Sequence, residues 1–211
     1  MKDLLDLMRI RHYTKNLLVF LPLVFSGRLL SGDLFISTLL GFAAFSLTSS
    51  VVYIVNDVRD IAYDRNHPVK RSRPLPSGRV SPADALRLAG LLGGAVAVLV
   101  LALDFPAWST GVLFLYLAVN LLYSCGMKAI PYVDILIIVT GFVLRVFYGG
   151  LLIKVKVSWM LLVTVVFFSA YLAMGKRRSE LLNHTQSRRQ VLKYYKKEAL
   201  DRLMCSPSRG Q

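Results

Sequence analysis

Cysteine and acid are both scarce in this chain. Of its 211 residues two are cysteine and twelve are aspartate or glutamate, against twenty-six lysines and arginines. Cys125 and Cys205 form no spaced framework and no metal signature, which excludes a disulfide scaffold and a thiolate metal centre. The acid deficit leaves a net charge of +14, a balance that elsewhere signals nucleic acid. Here the bases fall in short segments between apolar runs, the distribution of positive-inside membrane loops, so no nucleic-acid partner is expected. The N-terminus MKDLLDLMRIRHYTKN scatters charge throughout and lacks a small-residue cleavage site. It is not a removable signal peptide.

What is abundant is apolar sequence. Hydrophobic residues make up 55% of the chain and the mean hydropathy is +0.54. Several runs reach the roughly 20 residues that cross a bilayer as a helix. The expected fold is an all-α, polytopic membrane bundle of about six helices, over 16–31, 36–57, 83–104, 107–125, 131–153 and 157–175. Pro22 falls in the first and predicts a tilt or kink there. Lys2, Arg9, Arg11, Lys15, the 59–87 loop, Lys128 and the tail from Lys176 share one side, while Arg28, Lys154 and Lys156 occupy the other. The richer side is cytoplasmic by the positive-inside rule. That places the chain in the cell (inner) membrane as a multi-pass protein.

Residues 56–76, NDVRDIAYDRNHPVKRSRPLP, follow the second apolar run directly. Asp57, Asp60 and Asp64 are spaced i, i+3, i+7 and share one helical face, with Asn56 at its edge. Three carboxylates so placed repel one another and resist desolvation unless a cation lies among them. Magnesium shared with a diphosphate removes both penalties, because it takes few protein ligands and completes its shell with substrate oxygens. The bland alternative is a solvated acidic face. Lys70, Arg71 and Arg73 come next, in a loop stiffened by Pro68, Pro74 and Pro76. Ammonium and guanidinium groups suit phosphate oxygens, although a positive-inside bias alone also places bases there.

Two further polar clusters face the same side. In the first, Tyr123 and Lys128 flank the end of one apolar run, and Asp134 opens the next. Arg145 lies eleven residues on, on the same helical face and roughly 16 Å away along the axis. An arginine at that depth costs about 2.5–3.5 kcal/mol on insertion scales and requires a partner. An anionic substrate and a structural carboxylate are the two candidates. The second cluster, GKRRSELL, presents Lys176 and Arg177 beside Arg178, either as a stop-transfer anchor or as further phosphate contacts.

NDVRDIAYD matches the NDxxDxxxD signature of the UbiA superfamily of intramembrane prenyltransferases, which this chain resembles to about residue 203. RIRHYTKNLLVFLPLVF, the NHPVKRSRPLPSG continuation, YVDILIIVTGFVLRVFYGG and the GKRR element resemble its decaprenyl-phosphate phosphoribosyltransferase branch. The resemblance implies transfer of phosphoribosyl from phosphoribosyl diphosphate to a polyprenyl phosphate, with release of diphosphate. Carried over residue by residue, Asp57, Asp60 and Asp64 hold magnesium on the donor and Asn56 supports them. Lys70, Arg71 and Arg73 contact donor phosphates, and Tyr123, Lys128, Asp134 and Arg145 complete the polar cavity. Asp134 has no acid four residues on, where Ile138 stands, so the second aspartate-rich motif of prenyl-transferring relatives is missing. Prenyl transfer to an aromatic acceptor such as 4-hydroxybenzoate is the alternative enzyme.

Superfamily members have about nine membrane helices, and six are legible here. The expected organisation is an incomplete UbiA-like domain over 1–181 and a basic tail over 182–211 that ends in CSPSRGQ where another span is due. A truncated chain is therefore expected, inactive unless another polypeptide supplies the missing helices, because an open cavity cannot bury its site. An inactive remnant and a transporter are the non-enzyme alternatives. The charges gather at one face and the acidic motif is not repeated, which argues against the transporter. Homo-oligomerisation is left open.

Overall fold

The computed structural model describes residues 2–125, 130 and 133–182. Every regular element among them is helical: α1 (Lys2–Met8), a 3₁₀ helix (Ile10–Phe20), α2 (Leu21–Phe25), α3 (Gly32–Arg59), α4 (Ile61–Arg65), α5 (Pro82–Ala102), α6 (Ala107–Ser124), α7 (Val133–Leu152) and α8 (Trp159–Leu182), with a single 3₁₀ turn at Lys70–Ser72. Five helices are long and apolar enough to span a bilayer, namely α3, α5, α6, α7 and, over Trp159–Ser179, α8. This is a multi-pass helical membrane protein.

The first of the six expected spans is not a single helix. Pro22 begins α2 near its N-terminus, where a missing N–H is harmless, but it interrupts what comes before. The segment therefore enters as a 3₁₀ helix, continues for five residues of α2, and turns back at Gly27, whose φ is 70°. Elsewhere the boundaries follow local chemistry. Pro82 opens α5, and the Ser81 hydroxyl accepts from the Asp84 amide at 3.1 Å, satisfying one of the helix's orphan donors.

α3 is the central helix. Its apolar window is 56% buried, against 17% and 22% for those of α5 and α6, which present most of their surface outward. Thr38, Ser46, Thr48, Ser49 and Ser50 are all buried along α3. Small polar side chains there let neighbouring backbones approach closely, which is what drives helix association where lipid is as apolar as leucine. The closest approach joins α7 to the 3₁₀ helix. A Cβ on Gly149 would stand 2.0 Å from the Val19 carbonyl oxygen, so only glycine fits.

An eleven-residue 3₁₀ helix is uncommonly long, and its repeat of three residues per turn gives it three distinct edges. Tyr13, Asn16 and Val19 form the inner edge. Tyr13 shares a hydrogen bond of 2.8 Å with Ser50, Asn16 donates to the Ser46 hydroxyl at 3.0 Å, and Val19 packs on Gly149. Arg11, Thr14 and Leu17 form the exposed edge. Arg9, just before the helix, begins the line continued by His12, Lys15 and Leu18.

Candidate functional site

The NDxxDxxxD stretch does not form one continuous helix. α3 stops at Arg59, Asp60 takes φ −93° and ψ 7°, and α4 resumes at Ile61. Asp57 and Asp64 on either side of this hinge are nonetheless both buried, at 7% and 2% exposure, and Asp60 is half-buried. Burying two carboxylates costs several kcal/mol unless cations accompany them, to the order of about 3–5 kcal/mol when a partner is removed. Here Arg73 supplies one cation to both. Its Nη1 lies 3.1 Å from Asp64 Oδ2 and 3.6 Å from Asp57 Oδ1. Lys70 Nζ stands 3.2 Å from Asp64 Oδ1 as an ion pair without hydrogen-bond geometry. Arg71 points outward from the same turn.

A third cation enters from the N-terminus, which the sequence motifs did not indicate. Arg9 donates from Nη2 to Asp57 Oδ1 at 2.5 Å, with its guanidinium 5.3 Å from the Tyr53 ring centre. It does so from the left-handed region, at φ 53°, where a residue with a Cβ is uncommon. The strained turn between α1 and the 3₁₀ helix aims this side chain at the aspartate. Beside the pair lies a cleft of about 500 Å³ lined by Arg9, Arg11, His12, Arg73 and Arg79 together with Asp6 and Asp57. Burial first, then Lys15, Arg9, Arg73 and Lys176, hold the His12 imidazole below its ordinary value of 6.5. Four cations thus act on the His12 imidazole.

Asn56 lies one residue before Asp57 and accepts from the Ser124 hydroxyl at 3.0 Å, which ties α6 to the motif. Tyr123 is the half-buried neighbour of Ser124. Lys128 lies outside the described residues. Asp134 is buried at the start of α7, where Oδ1 accepts from the Ile135 amide at 2.9 Å and Oδ2 pairs with Arg177 Nε at 2.5 Å. Arg177 is also buried, Lys176 is exposed, and the pair joins the start of α7 to the end of α8.

Arg145 lies apart from these ions. Its Nε donates to Asn16 Oδ1 at 2.8 Å, Nη1 to the Gly141 carbonyl at 2.5 Å and Nη2 to the Tyr116 hydroxyl at 3.2 Å. The rings of Phe45, Tyr116 and Phe142 stand 5.1–5.8 Å from its guanidinium carbon. Neutral acceptors and aromatic faces thus accommodate the charge at membrane depth, rather than the carboxylate weighed as its structural partner.

The donor set suits a divalent cation bound with an anionic ligand. Two buried carboxylates already converge on one cationic nitrogen, and displaceable bases adjoin them. Among the described residues, no three acid, histidine or cysteine side chains form a metal-binding group by themselves. Substrate oxygens would have to complete the shell, as magnesium commonly requires.

Comparison with known proteins places the chain in a family. The model of the UbiA prenyltransferase family matches residues 18–177. The decaprenyl-phosphate phosphoribosyltransferase of Mycolicibacterium smegmatis is 38% identical over 182 residues, covering 84% of this chain and 57% of its own length. That of Corynebacterium glutamicum is 32% identical over 189 residues, covering 88% and 57%. The chain thus spans little more than half the length of these relatives. The fold is that of a UbiA homologue from Archaeoglobus fulgidus solved with DMAPP and Mg2+, at a TM-score of 0.73 and 15% identity over 95% of this chain and 72% of that one. With the NDxxDxxxD carboxylates buried beside a basic loop and the family model matching most of its length, the chain belongs to the UbiA prenyltransferase family.

Proposed function

We propose that this chain carries the donor site of a membrane transferase that moves phosphoribosyl from phosphoribosyl diphosphate to a polyprenyl phosphate, a decaprenyl-type lipid, and releases diphosphate. The observation that carries this reading is the sharing of Arg73 between the buried Asp57 and Asp64 at the edge of a basic cleft. Two relatives of the same name, at 38% and 32% identity, support the choice of donor and acceptor.

Asp57 and Asp64, with Asp60 at the hinge between them, would hold magnesium, which supplies charge to a departing diphosphate. Arg9, Lys70 and Arg73 exchange their carboxylate partners for phosphate oxygens and stay within the site. They stabilise negative charge as the bond from the anomeric carbon to the diphosphate oxygen breaks with its electron pair. An oxygen of the acceptor phosphate forms the new bond to that carbon, so no proton has to be removed from a dianionic acceptor. Asn56 steadies the motif through Ser124, and the Asp134–Arg177 pair fixes α7 against α8 at the cytoplasmic end of the cavity. With the basic loops inside, as the positive-inside rule expects, the reaction would run at the cytoplasmic face of the cell (inner) membrane.

The test is donor selectivity. Membranes containing the chain are incubated with labelled phosphoribosyl diphosphate and polyprenyl phosphate, with and without magnesium, beside a parallel mixture of prenyl diphosphate and 4-hydroxybenzoate. Magnesium-dependent retention of the phosphoribosyl donor, in preference to the prenyl diphosphate, is expected. Retention of the prenyl diphosphate in its place would overturn the proposal in favour of aromatic prenylation.

A further inference from the structure

The third edge of the 3₁₀ helix is used only in part by the donor site. Arg9 reaches Asp57, but His12 and Lys15 continue the same line, separated by three residues and so eclipsed in a helix of three residues per turn. Each step advances about 6 Å at a 3₁₀ rise of roughly 2 Å per residue.

The direction of advance follows from the partners on α3. Arg9 meets Asp57, Tyr13 meets Ser50 and Asn16 meets Ser46, so the 3₁₀ helix runs antiparallel to α3 and into the membrane from its cytoplasmic end. The edge changes character on the way. Arg9 and Lys15 are cationic and His12 offers an imidazole between them, whereas the next position, Leu18, packs toward Val146, Leu161 and Val165. Basic near the surface and apolar below is the pattern that complements an amphiphile with an anionic head.

We infer that the His12–Lys15 edge, on the membrane side of Asp57, is the seat of the acceptor: it holds the head of a lipid phosphate monoester whose chain leaves past Leu18. This deepens the transferase reading and rests on it for the identity of the reaction. The placement satisfies displacement chemistry, because the attacking phosphate must approach the anomeric carbon from the side opposite the departing diphosphate. With the diphosphate on Asp57 and Asp64, that side is the deeper one, from which a lipid arrives. The electrostatics agree. Cations act on His12 from the 3₁₀ helix (Lys15), the turn before it (Arg9), the basic loop (Arg73) and α8 (Lys176), while Tyr53 of α3 meets its ring edge-on at 5.5 Å.

Binding of farnesyl phosphate to the detergent-purified chain, without magnesium or donor, tests the inference. Wild-type protein should bind farnesyl phosphate at least about tenfold more tightly than farnesol, as expected for a charge-assisted phosphate contact. Lys15→Gln and His12→Gln should each weaken farnesyl phosphate, Lys15→Gln by about tenfold, and Lys15→Arg should restore it. Binding of phosphoribosyl diphosphate with magnesium should change less than about twofold in Lys15→Gln, and this readout also verifies that the variant is folded. Unaltered farnesyl phosphate affinity in Lys15→Gln would overturn the assignment. So would an equal loss of donor binding, which would give the edge to the donor, or inorganic phosphate binding as tightly as farnesyl phosphate, which would make it a free-phosphate site. A wild-type chain that binds farnesyl phosphate but no phosphoribosyl diphosphate would refute the transferase reading while leaving the lipid site standing.

Discussion

Two clusters of buried charge lie on either side of the N-terminal 3₁₀ helix, and they are built on opposite principles. At its N-terminal end Asp57 and Asp64 are held by Arg9, Lys70 and Arg73, whose side chains remain 19–35% exposed. Deeper down, Arg145 is 4% exposed and is matched by an amide, a carbonyl, a hydroxyl and aromatic faces. The first cluster pairs full charges whose cations can turn toward another anion without leaving the surface. The second surrounds one charge with fixed dipoles that belong to three different elements. Exchangeable ion pairs suit a site that must accept a metal and a diphosphate. A guanidinium with all three nitrogens engaged suits a joint, and Asn16 ties that joint to the helix carrying His12 and Lys15.

The difference can be broken at either end. Asp57→Asn removes a carboxylate and leaves Arg9 without its ion partner. Magnesium-dependent transfer or donor retention should fall by about two orders of magnitude, the scale seen when a preorganised electrostatic group is deleted, and unchanged turnover would count against a metal role. Arg145→Ala should act first on stability. It orphans groups on the 3₁₀ helix, α6 and α7, and the melting transition should drop by the equivalent of about 2–4 kcal/mol. A variant as stable as wild type that has lost donor affinity would return Arg145 to the role of a substrate contact.

Gly149→Ala probes what keeps the two clusters in register. Its methyl group would meet the Val19 carbonyl, and a backbone shift worth about 1–3 kcal/mol should follow as lowered thermal stability. Ala at the open Gly93 position is the control expected to be tolerated. The smallest effect concerns His12. Its folded-state value is depressed below 6.5, so between that value and the unfolded one the unfolded chain binds more protons and stability rises with pH. Thermal stability should therefore fall as pH drops below about 6.5, and His12→Gln should flatten that slope. An unchanged slope would show that another group sets it.

How much of this was legible in the residues alone differs between the clusters. The acidic motif announced itself because carboxylates at a membrane helix end have few uses, and Lys70 and Arg73 were close in sequence. The hinge at Asp60 was not legible, since a spacing of i, i+3, i+7 reads as one unbroken helix. Arg9 was hidden for a different reason. It lies 48 residues from Asp57, and only the left-handed turn before the 3₁₀ helix brings the two together. A period of three is not the 3.6 of an apolar α-helical span, so 16–31 reads as a span and Arg9, His12 and Lys15 do not stand out as one line. For Arg145 the demand for a partner was legible and the partner was not, because asparagine, tyrosine and a glycine carbonyl carry no charge to search for.

The central claim is that the Asp57–Asp64 cluster trades its basic partners for a magnesium diphosphate. Calorimetric titration of the purified chain with inorganic diphosphate, with and without magnesium, tests it most directly when wild type is compared with Asp64→Asn. Magnesium-dependent binding is expected in wild type and is expected to be lost in Asp64→Asn. Binding that is indifferent to magnesium, or that survives intact in Asp64→Asn, would contradict it.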